Sequence, residues 1–422
     1  MHIMRIKNYA ENGDFFLFIL IYCILLFFSG FYFFESETAI GLLVVGVLLI
    51  FAKNKLKISL LKSKVVVILI INILSTELLG VLFLDGQFQP KVITVYILNI
   101  IFALFLSSKY GGAEFYRIID IYIDCMILIS LASLFLFLVS RINFNIITFL
   151  PSVISTTKRV GYYAVFSIVS DTSYTGAMRN QGIFWEPGAF QAFLSLAYIW
   201  ETTRRNRFFV LVLFLVSIVT TYSTTGFIVG LLLAIYSLGT KTKNKNLQIV
   251  LLFVIAAIGL SGVLYILPRL TGYWKFAIYD KIHNFVGYKK GVETASSTRV
   301  RSIIEPLYCF LESPLLGIGE AGYSMLPYKT CTPINLFVRY GPIYGIFFVA
   351  GFWKGMKRLT EDSFKATLTC ILFFLSTFSE ALEFNIIILA FSIWGMVDRR
   401  KEFVENEKNE YWKGMICENY CN

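Results

Sequence analysis

Residues 118–139 read IIDIYIDCMILISLASLFLFLV, and this stretch decides the fold class. It carries only two charges, Asp120 and Asp124, over a length that crosses a bilayer core of ~30 Å. Lipid offers the backbone no hydrogen-bond partner, so such a segment must be helical. Similar runs recur along the 422 residues, of which 57% are hydrophobic and 15% charged. A soluble domain has about 25% charged residues, so we predict an all-α polytopic membrane protein.

We count twelve apolar segments as membrane spans, of which the second, sixth, eighth and twelfth are short, and together they make residues 1–422 a single transmembrane domain. The first follows Arg5 and Lys7 and ends before Glu35 rather than at a small-residue cleavage site, so it reads as an anchor. The predicted spans are 15–34, 37–52, 65–84, 91–107, 118–139, 187–201, 208–222, 225–239, 247–267, 333–353, 365–380 and 384–397.

The distribution of lysine and arginine fixes the predicted orientation. Basic residues cluster between every second pair of spans and in the tail at 398–422, whereas the short loops on the other side are nearly free of them. By the positive-inside rule both termini face the cytoplasm. The formal charge of +11 is thereby explained without nucleic acid as a partner.

Two external segments are too long to be simple turns. They cover residues 140–186 and 268–332, and connections of this length are usually functional. The second contains apolar residues at 303, 304, 307, 310 and 311, which predicts an amphipathic helix. We expect two large periplasmic loops that carry the chemistry.

The first loop ends in RNQGIFWEPGAFQ, residues 179–191. Pro187 suits the first turn of a helix, so Glu186 should be its N-cap. A carboxylate there gains roughly 0.3–1 kcal/mol from the helix dipole, which gives it a purely structural explanation. Together with Arg179 it could instead form an anion clamp and an acid–base group.

Three further arginines stand where a charge needs an explanation. Arg299 and Arg301 lie near the start of the amphipathic helix, where an anionic ligand would be favoured. A solvated loop lying on lipid headgroups is the structural alternative. Arg339 falls just inside the tenth span, where a charge costs at least ~2.5 kcal/mol and needs a counter-charge, a ligand or access to headgroups.

Three stretches together resemble the O-antigen ligase/polymerase superfamily of bacterial membrane glycosyltransferases. They are RNQGIFWEPGAFQ, TTYSTTGFIVGLLL at 220–233, and SSTRVRSIIEPLYCFLESPLLGIGEAGY at 296–323. The resemblance implies a GT-C-like architecture. It also implies transfer of a glycan from an undecaprenyl-diphosphate donor to an acceptor hydroxyl, with lipid diphosphate as the leaving group and without metal, nucleotide or other cofactor.

The resemblance also suggests roles for individual residues. Arginine binds phosphate in bidentate fashion, and a carboxylate can accept a hydroxyl proton. Catalytic roles then fall to Glu186, Arg299 and Arg301. Substrate-binding roles fall to Arg179, Arg339, Tyr340, Asn335 and His283.

One departure from the ligase pattern favours a polymerase, which joins repeat units. Ligases usually show a histidine shortly before the tenth span, where this chain reads KTCTPIN at 329–335. The alternatives are a ligase that transfers glycan to lipid A core, and a flippase or transporter that relays protons through membrane acids. The acids available for that are Glu77, Asp120, Asp124, Glu380 and Glu383. A chain-length regulator is a further possible partner of a polymerase.

Overall fold

A computed structural model gives the structure of the chain. It describes residues 15–28, 60–83, 88–109, 115–154, 160–164, 167–171, 178–239, 295–326, 331–378 and 380–396. The predicted spans 37–52 and 247–267, His283 and the tail 398–422 lie outside the described residues.

The described part of the chain is mostly helical, as expected. The helices are α1 Phe15–Phe28, α2 Leu60–Phe83, α3 Pro90–Lys109, α4 Phe115–Ile142, α5 Phe144–Ile147, α6 Pro187–Arg204, α7 Phe208–Thr220, α8 Thr224–Gly239, α9 Ala295–Glu312, α10 Gly319–Met325, α11 Thr332–Val338, α12 Gly341–Thr360, α13 Ser363–Ser376 and α14 Ile386–Met396. Within this part, α2, α3 and α4 are long and apolar enough to cross a membrane. Several others are apolar but shorter.

Helix α4, which contains the stretch 118–139, lies at the centre of the bundle. Tyr122, Met126 and Ile129 are fully buried on it, and the Tyr122 hydroxyl donates to the Phe193 carbonyl of α6 at 2.9 Å. On its other face Leu131, Phe135 and Leu138 are exposed, as apolar side chains facing lipid would be. One face of α4 therefore packs in the core, and the other face lies on the lateral surface of the bundle.

The helix ends sort into two groups. Near the start of α4, the Tyr116 hydroxyl donates to the Arg358 carbonyl at the end of α12, and Arg204 at the end of α6 lies over the Tyr116 ring. We call this the inner end, because the charge pattern predicts it to be cytoplasmic. The opposite end, where α6 and α11 begin, is the outer end.

The first long loop adds a small sheet to this mostly helical architecture. It contains a four-stranded antiparallel sheet in the order β1 Ser152–Ile154, β2 Val160–Ala164, β3 Ser167–Asp171 and β4 Met178–Gly182. Strands β1, β2 and β3 are rich in Val, Ile, Tyr and Ser, and these short segments lack the 3.6-residue period of a helix. Strand β4 leads directly into α6, so the sheet fixes the direction in which α6 enters the bundle.

The tenth predicted span is corrected, because it is broken. Helix α11 stops at Val338, and α12 restarts at Gly341 and runs to Thr360. Gly341 has a φ of +70°, and Pro342, which has no N–H, occupies the first turn of α12. The apolar part of α12 covers residues 341–353, about 20 Å, and Lys354, Lys357 and Arg358 follow it toward the inner end. The break lies at the opposite end of α12, which belongs to the outer end of the bundle.

Helices α12 and α14 pack with their backbones in close contact. A Cβ on Gly395 would overlap the Gly351 carbonyl and lie 2.6 Å from the Gly355 nitrogen. Small residues four apart allow this approach in membrane helices. The pair holds the segment between α13 and α14 against α12 at the outer end.

Candidate functional site

The break between α11 and α12 is closed by the segment PLLGIG, residues 314–319. The Ile318 and Gly319 amides donate to the carbonyls of Val338 and Arg339 at 2.8 and 2.9 Å. Gly317 has a φ of +77°, and a Cβ there would lie 2.6 Å from the Val338 carbonyl. Only glycine allows this conformation and this contact without strain. The segment therefore provides hydrogen-bond donors for the carbonyl groups at the break, and it places Glu320 beside Arg339.

Arg339 finds counter-charges inside the protein. Its Nε donates to Glu320 Oε2 at 2.7 Å, and its Nη1 donates to Glu383 Oε1 at 2.6 Å. Its Nη2 contacts Glu320 and the Tyr96 hydroxyl. The guanidinium also lies 4.0 Å from the centre of the Tyr323 ring, and its side chain is only 6% exposed. The need for a counter-charge that the sequence indicated is thus met by two carboxylates.

A third carboxylate stands behind this pair. Glu77 of α2 accepts hydrogen bonds at Oε1 from the Glu320 amide and from the Tyr340 hydroxyl, the latter at 3.0 Å. Its Oε2 is buried and has no hydrogen-bond partner among the described residues. Two carboxyl groups contact the guanidinium and a third lies behind them, so acidic groups outnumber arginines in this cluster.

Residues 377–378 and 380–385, between α13 and α14, complete the site. They are not helical, yet their backbone is held by side chains of other elements. Thr332 Oγ1 accepts from the Leu382 amide at 2.8 Å, and the Tyr344 hydroxyl donates to the Glu383 carbonyl at 2.7 Å. Asn99 Nδ2 donates to the Phe384 carbonyl at 3.2 Å. Irregular backbone among membrane helices is tolerated where it is buried in protein or lines a cavity.

Such a cavity is present, and we call it the outer cavity. It has a volume of about 300 Å³ and is lined by Tyr96, Asn99, Trp185, Tyr323, Arg339 and residues 381–385. Two acceptor atoms of the lining residues, Asn99 Oδ1 and Glu383 Oε2, are buried without a hydrogen-bond partner among the described residues. Most native buried polar atoms have a partner, so these two call for an explanation.

Glu186 stands next to the cavity-lining Trp185. It is the N-cap of α6 and Pro187 opens that helix, as predicted, but its side chain makes no capping hydrogen bond. A Cβ on Gly188 would overlap Glu380 Oε1 and would lie 3.5 Å from Glu186 Oε1. The two carboxylates therefore flank the same glycine. Because its carboxylate makes no capping hydrogen bond, the helix dipole is the structural reason left for an acid at this position.

Arg179 has a different position from the one expected of a diphosphate ligand. It lies on β4, and its Nε and Nη2 donate to the carbonyls of Thr221 and Tyr222 at 2.9 and 3.3 Å. It therefore ties the sheet to the turn between α7 and α8. It is not among the residues that line the outer cavity.

The remaining predicted residues are placed as follows. Tyr340 is fully buried and bonded to Glu77, and Asn335 is fully buried one turn before Arg339. Arg299 and Arg301 lie in the first half of α9. This helix runs through the predicted amphipathic stretch, and its apolar residues Ile304, Leu307, Tyr308 and Leu311 are exposed.

Sequence reasoning gave Glu320 no role and considered Glu383 only as a relay acid for transport. Glu320 follows the glycine of PLLGIG and lies 19 residues before Arg339, a spacing with no regular period. Glu383 lies 44 residues after Arg339. A usable signal for Glu383 was that a buried arginine requires acids, and residues 333–397 contain few of them: Glu361, Asp362, Glu380 and Glu383.

Cys331, which precedes α11, is a free and buried thiol. Burial raises the pKa of this thiol to about 11. At neutral pH it is therefore protonated and a poor nucleophile. It packs as a small apolar side chain at the edge of the site.

A second charged cluster lies at the inner end. Arg205 donates to Asp124 at 2.8 Å and pairs with Asp120 at 3.2 Å, while Arg204 pairs with Asp120 at 3.1 Å. Asp120 and Asp124 are thus charge-paired rather than arranged as a relay.

Arg207 completes this inner cluster by holding the buried Glu201 with two hydrogen bonds of 2.9 and 2.7 Å. Burial lowers the pKa of the Arg207 guanidinium, but the hydrogen bonds and charge of Glu201 more than offset this, and the pKa rises above its usual value.

Comparison with known proteins adds no assignment: no family model, no curated protein and no solved structure matches the chain.

Proposed function

We propose that the chain is a membrane glycosyltransferase that polymerises undecaprenyl-diphosphate-linked oligosaccharide repeat units into O-antigen or capsular polysaccharide. The observation that carries this proposal is the outer cavity. It combines aromatic rings, a buried arginine and buried carboxylates, and the sequence motif RNQGIFWEPGAFQ places Trp185 in its wall. Cavities with apolar walls and a few converging polar groups are the usual form of a small-molecule site.

The proposed architecture is a GT-C-like bundle of twelve spans with both termini in the cytoplasm of the bacterial inner membrane. The sorting of the helix ends supports it. Residues that the charge pattern predicts to be cytoplasmic, such as Arg204, Arg207 and Arg358, lie together at the inner end. The outer cavity lies at the opposite end, where a lipid-linked glycan would be presented after it has been flipped.

In the proposed reaction, a hydroxyl of the acceptor glycan attacks the anomeric carbon of the donor sugar. A new glycosidic C–O bond forms, and the bond between that carbon and the lipid diphosphate breaks. Glu186 would accept the hydroxyl proton, because its carboxylate is half-buried and is not used as a helix cap. Arg299 and Arg301 would stabilise the departing diphosphate, and charge-assisted bonds of this kind contribute about 1.5–3 kcal/mol each.

The test is polymer formation from lipid-diphosphate-linked repeat units by purified protein, with and without chelator. Glu186→Gln keeps the size of the side chain but cannot take a proton, so turnover should fall by about 10²–10⁴-fold. Arg299→Lys and Arg301→Lys should each slow turnover by roughly 10- to 150-fold, because lysine lacks the bidentate fork. The control Arg204→Lys at the inner end should polymerise normally.

Full activity of Glu186→Gln would contradict the role of that residue, and loss of polymer with chelator alone would contradict the arginine mechanism. A deletion strain separates polymerase from ligase: loss of a polymerase leaves lipid A core capped with one repeat unit, whereas loss of a ligase leaves bare core.

Transport is the second candidate, and one observation favours it. A broken helix with a buried Arg–Glu cluster is the kind of site that transporters use. A transporter has little need for two long external loops rich in basic residues, however, so polymerisation remains the first candidate. Uptake of radiolabelled sugars by vesicles that lack polymer synthesis would decide for transport.

A further inference from the structure

We propose that the outer cavity binds a neutral sugar ring of the acceptor glycan, and that it is not the diphosphate site. This inference rests on the proposed function and assigns one of its two substrates to a place in the fold. It also gives Arg339 a role different from the diphosphate contact that the sequence resemblance implied.

The first argument is the hydrogen-bonding capacity of the cavity wall. Asn99 and Glu383 are 6% and 2% exposed, and each keeps one acceptor atom, Oδ1 and Oε2, without a partner among the described residues. A buried acceptor left without a donor costs about 1–3 kcal/mol. Sugar hydroxyls are donors that would satisfy both atoms.

The second argument is the aromatic lining of the cavity and its volume. Tyr96 and Phe384 stack at 3.9 Å with an angle of 11°, and Trp185 and Tyr323 add two further rings. The C–H faces of a pyranose are apolar and pack on aromatic rings, while its hydroxyls point outward. At about 300 Å³ the cavity lies at the lower limit for small-molecule sites, which suits one or two sugar rings better than a long lipid.

The third argument is charge. The donors of Arg339 go to Glu320, Glu383 and Tyr96, and Glu77 adds a further carboxylate behind them. A diphosphate would have to displace these acids from Arg339 or lie beside them without a free cation among the described residues that line the cavity. Arg339 is therefore a positioning residue. It holds Glu383 by Oε1, which leaves Oε2 available to a hydroxyl group.

The experiment measures binding without turnover. The protein is held in nanodiscs, because common detergents carry sugar headgroups. It is titrated with the methyl glycosides of glucose, galactose, rhamnose and N-acetylglucosamine, and separately with inorganic diphosphate and with sodium chloride. Tryptophan fluorescence reports binding, and Trp185→Phe identifies the signal from the cavity.

At least one glycoside should give a saturable change that Trp185→Phe abolishes. Asn99→Leu should weaken binding by roughly 2- to 12-fold, and Glu383→Gln by roughly 12- to 150-fold. The matched control is Asn72→Leu, because Asn72 of α2 also has a buried Oδ1 without a partner in the described part of the chain but does not line the cavity. Its affinity should equal that of the parent protein.

The same variants then enter the polymerisation assay, where Asn99→Leu should raise the KM for the repeat unit and Asn72→Leu should not. If no glycoside binds and Asn99→Leu polymerises like the parent, the inference is overturned. Saturable binding of diphosphate or sodium that depends on Asn99 would also overturn it, in favour of an ion site.

The two proposals fail separately. Glycoside binding that Asn99→Leu weakens, without any polymer from the lipid-linked repeat unit, would keep the sugar site and remove the polymerase. Polymer formation that is indifferent to Asn99 and Glu383 would keep the polymerase and remove the sugar site.

Discussion

The two charged clusters at the ends of the bundle are built differently. At the inner end, three arginines meet three carboxylates, and the arginine side chains are 19–30% exposed: Arg204, Arg205 and Arg207 with Asp120, Asp124 and Glu201. At the outer end, a single arginine that is 6% exposed meets Glu320 and Glu383, with Glu77 behind them.

This difference separates a structural cluster from a functional one. A balanced cluster with access to water holds helix ends together and orients them in the membrane. A buried cluster with surplus acid is costly unless each oxygen has a partner, and natural proteins accept such costs mainly at functional sites. The outer cluster also borders the outer cavity, because Arg339 and Glu383 line it.

Removing the arginine of the outer cluster should have the largest effect. Arg339→Met leaves two buried carboxylates without their counter-charge, so it should destabilise the protein by about 3–5 kcal/mol. Arg204→Met at the inner end removes a partly exposed pair and should cost about 0.2–1 kcal/mol. Thermal unfolding in detergent and the amount of protein in membranes measure both. Equal losses would remove the contrast between the two clusters.

A second prediction divides the inner cluster itself. Arg207 holds the fully buried Glu201 through two parallel hydrogen bonds, which lysine cannot reproduce, so Arg207→Lys should cost about 1.5–3 kcal/mol. Arg204→Lys keeps the charge of a more exposed pair and should be nearly neutral. The same unfolding assay compares them. If Arg207→Lys leaves the stability unchanged, Glu201 depends less on its partner than its burial implies.

The third prediction concerns the helix pair that connects the two ends. Gly395→Ala adds a methyl group that would overlap the Gly351 carbonyl, and it should destabilise the protein by about 1–3 kcal/mol. Gly239→Ala is the matched control, because a Cβ there has no atom within 4 Å and alanine favours a helix. A stable Gly395→Ala protein would show that α12 and α14 can separate without loss.

Sequence reasoning was strongest where a feature is local. The run 118–139 predicted most of α4, and Pro187 predicted the start of α6. For Arg339 the apolar run indicated a counter-charge, a ligand or access to headgroups, and the structure shows the first of these.

What the sequence did not indicate depends on distant contacts. The pairing of Arg339 with Glu320 and Glu383 joins three elements, and no period in the chain relates them. The sheet at 152–182 was missed because the loop was judged by length rather than by its β-branched and aromatic residues. The break at Arg339 had a local signal, Gly341-Pro342, which the apolar residues around it obscured.

The short hairpin of α13 and α14 has a consequence for how the protein is made. These helices have 14 and 11 residues, about 21 and 16 Å, so neither fills a bilayer core of ~30 Å, and their connection carries Glu380, Glu383 and Asn385. Such a hairpin would leave the translocon with polar groups in lipid unless Asn99, Thr332 and Tyr344 were already there to receive it. All three precede it in the chain and are synthesised first, so the order of translation supplies the acceptor surface before the hairpin emerges.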